Sequence, residues 1–88
     1  MRTFTIDASL TTTETSTTLE APAIKLVVEN TSPDNEIKIG VNATTVNNNE
    51  AFVVRPGQVK VFLCNSASSL FHVSVGGNAR AIIDYDVV

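Results

Sequence analysis

From Ala23 to Val88 apolar and polar residues alternate with a period of two, and no other feature constrains the fold as strongly. Ile24, Leu26 and Val28 fall on one side of an extended chain, while Lys25 and Glu29 fall on the other. Ile37, Ile39 and Val41 oppose Glu36, Lys38 and Gly40. Val59, Val61 and Leu63 alternate with Lys60, Phe62 and Cys64, and Phe71, Val73 and Val75 alternate with His72 and Ser74. Ala81, Ile83, Tyr85 and Val87 alternate with Arg80, Ile82, Asp84 and Asp86. One packed face and one wetter face is the pattern of antiparallel sheet. The chain is also rich in Val, Ile and Thr, whose branched side chains suit a pleated surface. The expected fold is all-β: a small antiparallel β-sandwich or barrel of short strands.

Turn residues separate the runs. Asn30 to Asn35 reads as a short polar loop. Arg55-Pro56-Gly57-Gln58 predicts a type II turn, with Pro56 presetting φ and Gly57 taking the positive-φ position. That turn is expected to join Phe52–Val54 to Val59–Leu63 as a hairpin. Gly76-Gly77-Asn78 predicts a second hairpin between Phe71–Val75 and Ala79–Val88. Asn42 to Asn49 reads as a longer polar loop, and Asn65 to Ser69 as a small-residue connection.

Residues 1–20 differ in character from the sandwich domain expected over 21–88. Phe4 and Ile6 alternate as in a strand, but Thr11 to Thr18 has β propensity with almost nothing to bury before Leu19. Ala21-Pro22-Ala23 then punctuates the chain. The segment reads either as a Thr-rich polar edge strand with a hairpin or as an arm exchanged with a neighbouring subunit, since polar strand edges are pairing templates. Thr13, Thr15 and Thr17, one row of this run, are therefore candidate interface residues.

At 88 residues the chain has room for one domain and one modest core. Such a domain buries only about 60–65% of its unfolded surface, and small domains gain stability from disulfides, metals or oligomerisation. Cys64 is the only cysteine and His72 the only histidine, so an intrachain disulfide is excluded and a structural zinc site is not expected. Oligomerisation remains. Only 17% of residues are charged against 43% hydrophobic, which suits a surface partly covered by neighbours. The six cations (Arg2, Lys25, Lys38, Arg55, Lys60 and Arg80) are scattered singly, and the net charge is -3, which argues against a nucleic-acid partner. No apolar run approaches the roughly 20 residues of a membrane-spanning helix, and the first residues lack a signal-peptide core. Sequon matches at Asn30 and Asn42 are read as chance in an Asn/Thr-rich chain.

Catalytic templates lack parts. His72 is expected on a strand facing away from Phe71 and Val73, at the surface or half-buried, with no nucleophile assigned to it. Cys64, between Leu63 and Asn65 and near Phe62, reads as an inert thiol. Asp84 and Asp86 share a face as solvated outer charges, and Asp34-Asn35-Glu36 and Asn47-Asn48-Asn49-Glu50 lack calcium-loop spacing. With no Trp, one Tyr and four Phe, a sugar platform is not expected; Phe52 and Phe71 read as core. Phe62 stands apart. It lies opposite Val61 and Leu63, so both faces of its strand carry apolar groups, and Phe62 is a candidate interface residue. The expectation is a protein with no enzymatic activity and no cofactor.

From about Ile24 to the C-terminus the order of elements resembles a family of small β domains in tailed-phage virions: capsid decoration (cement) proteins, head fibres and related accessory modules. The matching pattern is an apolar strand into an Asn-centred turn (Val27-Val28-Glu29-Asn30-Thr31-Ser32), then Ile37 to Val41, then a polar loop with Asn47-Asn48-Asn49. Val54-Arg55-Pro56-Gly57, the strand Leu70 to Ser74 and the Gly-Gly turn into the Ala81 to Tyr85 strand complete it. The family prefers an acidic residue after Pro-Gly, where this chain has Gln58, and residues 1–20 fall outside the resemblance. The resemblance implies a virion structural protein made in the host cytoplasm. It would form a homotrimer or other homo-oligomer on the capsid surface, where it bridges subunits of the major capsid protein. A fibre, neck or tail module contacting another virion protein or a host surface is the alternative it implies.

Overall fold

The computed structural model describes residues 2–41 and 52–87. The polar loop expected over Asn42 to Asn49 and the Asn47-Asn48-Asn49-Glu50 run thus lie outside the described residues. Among the described residues six strands follow one another: β1 (Arg2–Leu10), β2 (Thr15–Asn30), β3 (Glu36–Val41), β4 (Phe52–Val54), β5 (Val59–Val75) and β6 (Ala79–Val87). The fold is all-β, as the alternation requires. All pairings are antiparallel in one sheet of order β1-β6-β2-β5-β3-β4.

Two long strands bend that sheet over on itself. β2 has 16 residues and β5 has 17, and each serves both halves. Between the Thr18–Ser69 and Ala23–Ala67 pairs the surplus residues lie on β2; between Ala23–Ala67 and Lys25–Leu63 they lie on β5. Unequal arcs of this kind kink both strands, and Ser66 takes a φ of 55° at the β5 corner. The segments 21–23 and 65–69, expected to separate strands, are therefore corners inside continuous ones. One half-sheet comprises β1, β6, the end of β2 and the start of β5; the other comprises the start of β2, the end of β5, β3 and β4. Between them lies a core that includes Leu10, Leu26, Val28, Ile37, Ile39, Leu70 and Ile83.

Neither predicted hairpin forms. β4 pairs with β3, and β6 pairs with β1 and β2, so both turns are arches that carry the chain from one half-sheet to the other. The turn chemistry itself holds. Gly57 has a φ of 76° and the Gln58 N–H donates to the Arg55 carbonyl at 3.0 Å, as a type II turn requires. Gly76 has a φ of 89°, and Gly77 lies so close to Asn35 that a Cβ there would sit 3.0 Å from its Nδ2.

Asn30 ties the arches together. Its side chain is fully buried, and Nδ2 donates to the carbonyls of Asn35 at 2.8 Å and Val54 at 3.0 Å. Its Oδ1 accepts from the Ser32 N–H at 3.0 Å and from the Ser32 hydroxyl. Its main chain bonds the type II turn, donating to Gln58 O and accepting from Gly57 N. Asn35 extends the network by donating from Nδ2 to Asn78 O at 2.8 Å. A buried amide is costly unless its bonds are made, and here both ends of it are used.

The first twenty residues belong to the same body. β1 pairs along β6 from Arg2–Val87 to Leu10–Ala79, and Ala8, Leu10 and Leu19 enter the core. β1 is an edge strand, though it pairs with β6 and forms no hairpin with β2. Phe4 stacks on Tyr85 with ring centroids 5.2 Å apart.

Candidate functional site

The pairing registers lay out the outer face of the first half-sheet row by row. One row runs Asp7, Ile82, Glu29, Val59 across β1, β6, β2 and β5; the next runs Thr5, Asp84, Val27, Val61; the third runs Thr3, Asp86, Lys25, Leu63. Its chemistry changes from one margin to the other. On the β1 side polar groups satisfy one another: Thr3 and Thr5 donate to Asp86 and Asp84 at 2.6 Å each, and Arg80 bonds Asp7 at 2.8 Å. On the β5 side Val59, Val61 and Leu63 remain 56%, 58% and 81% exposed. Leaving these three side chains in water forgoes on the order of 4 kcal/mol of burial free energy, at about 1.5–3 kcal/mol for each full side chain.

This reverses the expected faces of β5. Phe62 points inward, stacked on Phe52 with centroids 4.1 Å apart and packed against the core. Lys60 on the same inner row reaches the Val53 carbonyl at 2.9 Å. Cys64 is half-buried, and burial pushes its thiol pKa up, which keeps it protonated and unreactive. The candidate interface is therefore the row beside Phe62. Both rows of the strand carry apolar groups around Phe62, so alternation alone does not say which one is covered. The signal available in the sequence is bulk: the aromatic fills the interior better than its smaller aliphatic neighbours Val61 and Leu63.

The second half of β5 reverses too. His72 and Ser74 continue the inner row of Leu70, while Val75 is 43% exposed and Phe71 is half-buried outside, opposite Gly40. His72 is 5% exposed, and its ring nitrogens bond Thr15 Oγ1 at 3.0 Å and Thr17 Oγ1 at 3.1 Å. Desolvation lowers its pKa, and a backbone hydrogen bond only partly offsets that effect. Thr15 and Thr17 thus turn their hydroxyls towards a buried ring, whereas Thr13 sits exposed in the turn between β1 and β2. The Thr-rich segment supplies polar partners for the single histidine. Pro56, Gly57, Gly76 and Gly77 shape the two arches and line no common site with Phe62 or the threonines.

Other features are slight. A shallow depression of about 210 Å³ is lined by Thr31, Ser32, Pro33, Asn78, Ala79 and Arg80. Among the described residues no three His, Cys, Asp or Glu side chains cluster as metal ligands. The sequence matches no protein-family model and no curated protein.

Proposed function

We propose that this chain is a non-enzymatic structural protein that binds other protein surfaces through the outward row of β5, and that it serves as an accessory protein of a tailed-phage virion. The observation that carries the binding reading is the exposure of Val59, Val61 and Leu63 side by side. Towards the β1 margin of the same face the threonines and aspartates are paired within the chain. An apolar row that a small domain leaves in water is a place where another protein gains by covering it. The virion assignment rests on the resemblance of residues 24–88, and within it capsid decoration is the preferred role. Such a protein adds buried interface between shell subunits and so raises the barrier to their separation.

Co-sedimentation tests this reading, using the purified protein and capsids or tails of a phage whose genome encodes the chain. The expected result is saturable binding to capsids, weakened tenfold or more by Leu63→Lys. Absence of binding to both capsids and tails would refute the virion assignment.

A further inference from the structure

The start of β5 offers more than an apolar row. Over Val59 to Leu63 it pairs with β2 on one side, and among the described residues no strand pairs with its other side. Its margin therefore presents main-chain donors and acceptors beside exposed hydrocarbon. β1, the opposite margin of the same half-sheet, carries Thr3, Thr5 and Asp7 outward, the polar and charged dressing that discourages strand addition. The outward row of β5 carries no such guard. Lys60, the nearest cation on the strand, is turned inward and held by Val53 O.

Size selects the kind of partner. Three side chains at 56–81% exposure present on the order of 300 Å² of apolar surface, well short of the ~800 Å² per partner of a standard interface. A partner that only covers the row would bind weakly. One that also adds a strand gains a ladder of main-chain hydrogen bonds, and its own outward row should be apolar at period two. Among the described strands β5 alone has such an exposed row.

We infer that the β5 margin is a self-recognition edge, at which Val59–Leu63 pairs antiparallel with the same segment of a second copy across a twofold axis. This deepens the binding reading above and rests on it. A twofold perpendicular to the sheet keeps both outward rows on one side, so they merge into one apolar patch. Full overlap of the two rows sets Val59 opposite the Leu63 of the other copy and Val61 opposite its own copy. It also aligns Glu29, beside Val59, with the row that ends at Lys25 in the second copy, so the flanking charges are opposite in sign.

Cross-strand Cα atoms in an antiparallel pair lie about 4.5–5.5 Å apart, within the range a disulfide spans. The test is oxidation of full-length Val61→Cys in a Cys64→Ser background, with Thr5→Cys and the mixed Thr5→Cys plus Val61→Cys pair beside it. Sedimentation equilibrium of the reduced Cys64→Ser protein runs alongside. The expected result is a disulfide-linked dimer from Val61→Cys alone, a reversible dimer in sedimentation, and at least a tenfold loss of that association in Val61→Asp. Linkage only in the mixed pair, with a three-copy mass, would assign β5-to-β1 pairing in a ring and overturn the twofold. A protein that stays monomeric yet binds capsids would overturn self-recognition while leaving the virion reading intact.

Discussion

Replacing Asn30 with alanine removes the centre of the arch network without touching the outer face. The side chain makes four hydrogen bonds from a fully buried position, two as donor and two as acceptor. Ser32 Oγ can still donate to Asn35 O, which it reaches at 3.0 Å, so that carbonyl keeps a partner. The Val54 carbonyl and the Ser32 N–H each lose the bond that the Asn30 amide supplies. Stranding a buried polar group costs about 1–3 kcal/mol, so the two together cost about 2–6 kcal/mol. A domain of this size holds roughly 4–13 kcal/mol in total. On the midpoints of these ranges, about 4 of about 9 kcal/mol, Asn30→Ala should lose nearly half of the stability. Urea denaturation followed by far-UV circular dichroism measures it, with Ser32→Ala as a milder companion near 1 kcal/mol. If Asn30→Ala unfolds within about 1 kcal/mol of the parent, the arches are held by something other than this residue.

Three further experiments probe the turn, the faces of β5 and the buried histidine. Gly57→Val should cost about 1–3 kcal/mol through its positive φ alone, because a Cβ there meets nothing within 4 Å; an unchanged melting temperature would remove the type II turn. Phe62→Ala should cost about 2–4 kcal/mol while Leu63→Ser stays within about 0.5 kcal/mol in the monomer, and the opposite order would restore the face assignment expected from sequence. His72 is neutral in the fold with a lowered pKa, so the unfolded chain binds more protons once pH falls below its own value of about 6.5. Its contribution is complete above that pH and declines as pH falls towards the depressed folded value. Denaturation between about pH 7.5 and about pH 5 should show this slope, and His72→Gln should flatten it; an equal slope in both proteins would assign the effect elsewhere.

Strand positions were legible because alternation is a local property. The β6 inner row Ala81, Ile83, Tyr85, Val87 and the β3 row Ile37, Ile39 lie where their pattern puts them. Connectivity was not legible, since a Pro-Gly or Gly-Gly turn looks the same in a hairpin and in an arch. The corners in β2 and β5 read as breaks because Ala21-Pro22-Ala23 and Asn65–Ser69 have the small and polar residues of loops. In β5 the inner row was misread twice for opposite reasons. Around Phe62 both rows carry apolar groups; further along, the inner row holds His72, whose partners Thr15 and Thr17 come from a strand far away in sequence. Asn30 read as an ordinary turn residue, because its burial arises from four segments that meet only in the folded chain.

Amide hydrogen exchange across the chain, compared between the dilute protein and its associated or capsid-bound form, shows which strand margin a partner covers. Added protection should concentrate in residues 59–64, with the β1 margin little changed. Protection gained on β1 or at the arches, with 59–64 exchanging as in the dilute protein, would contradict binding through the outward row of β5.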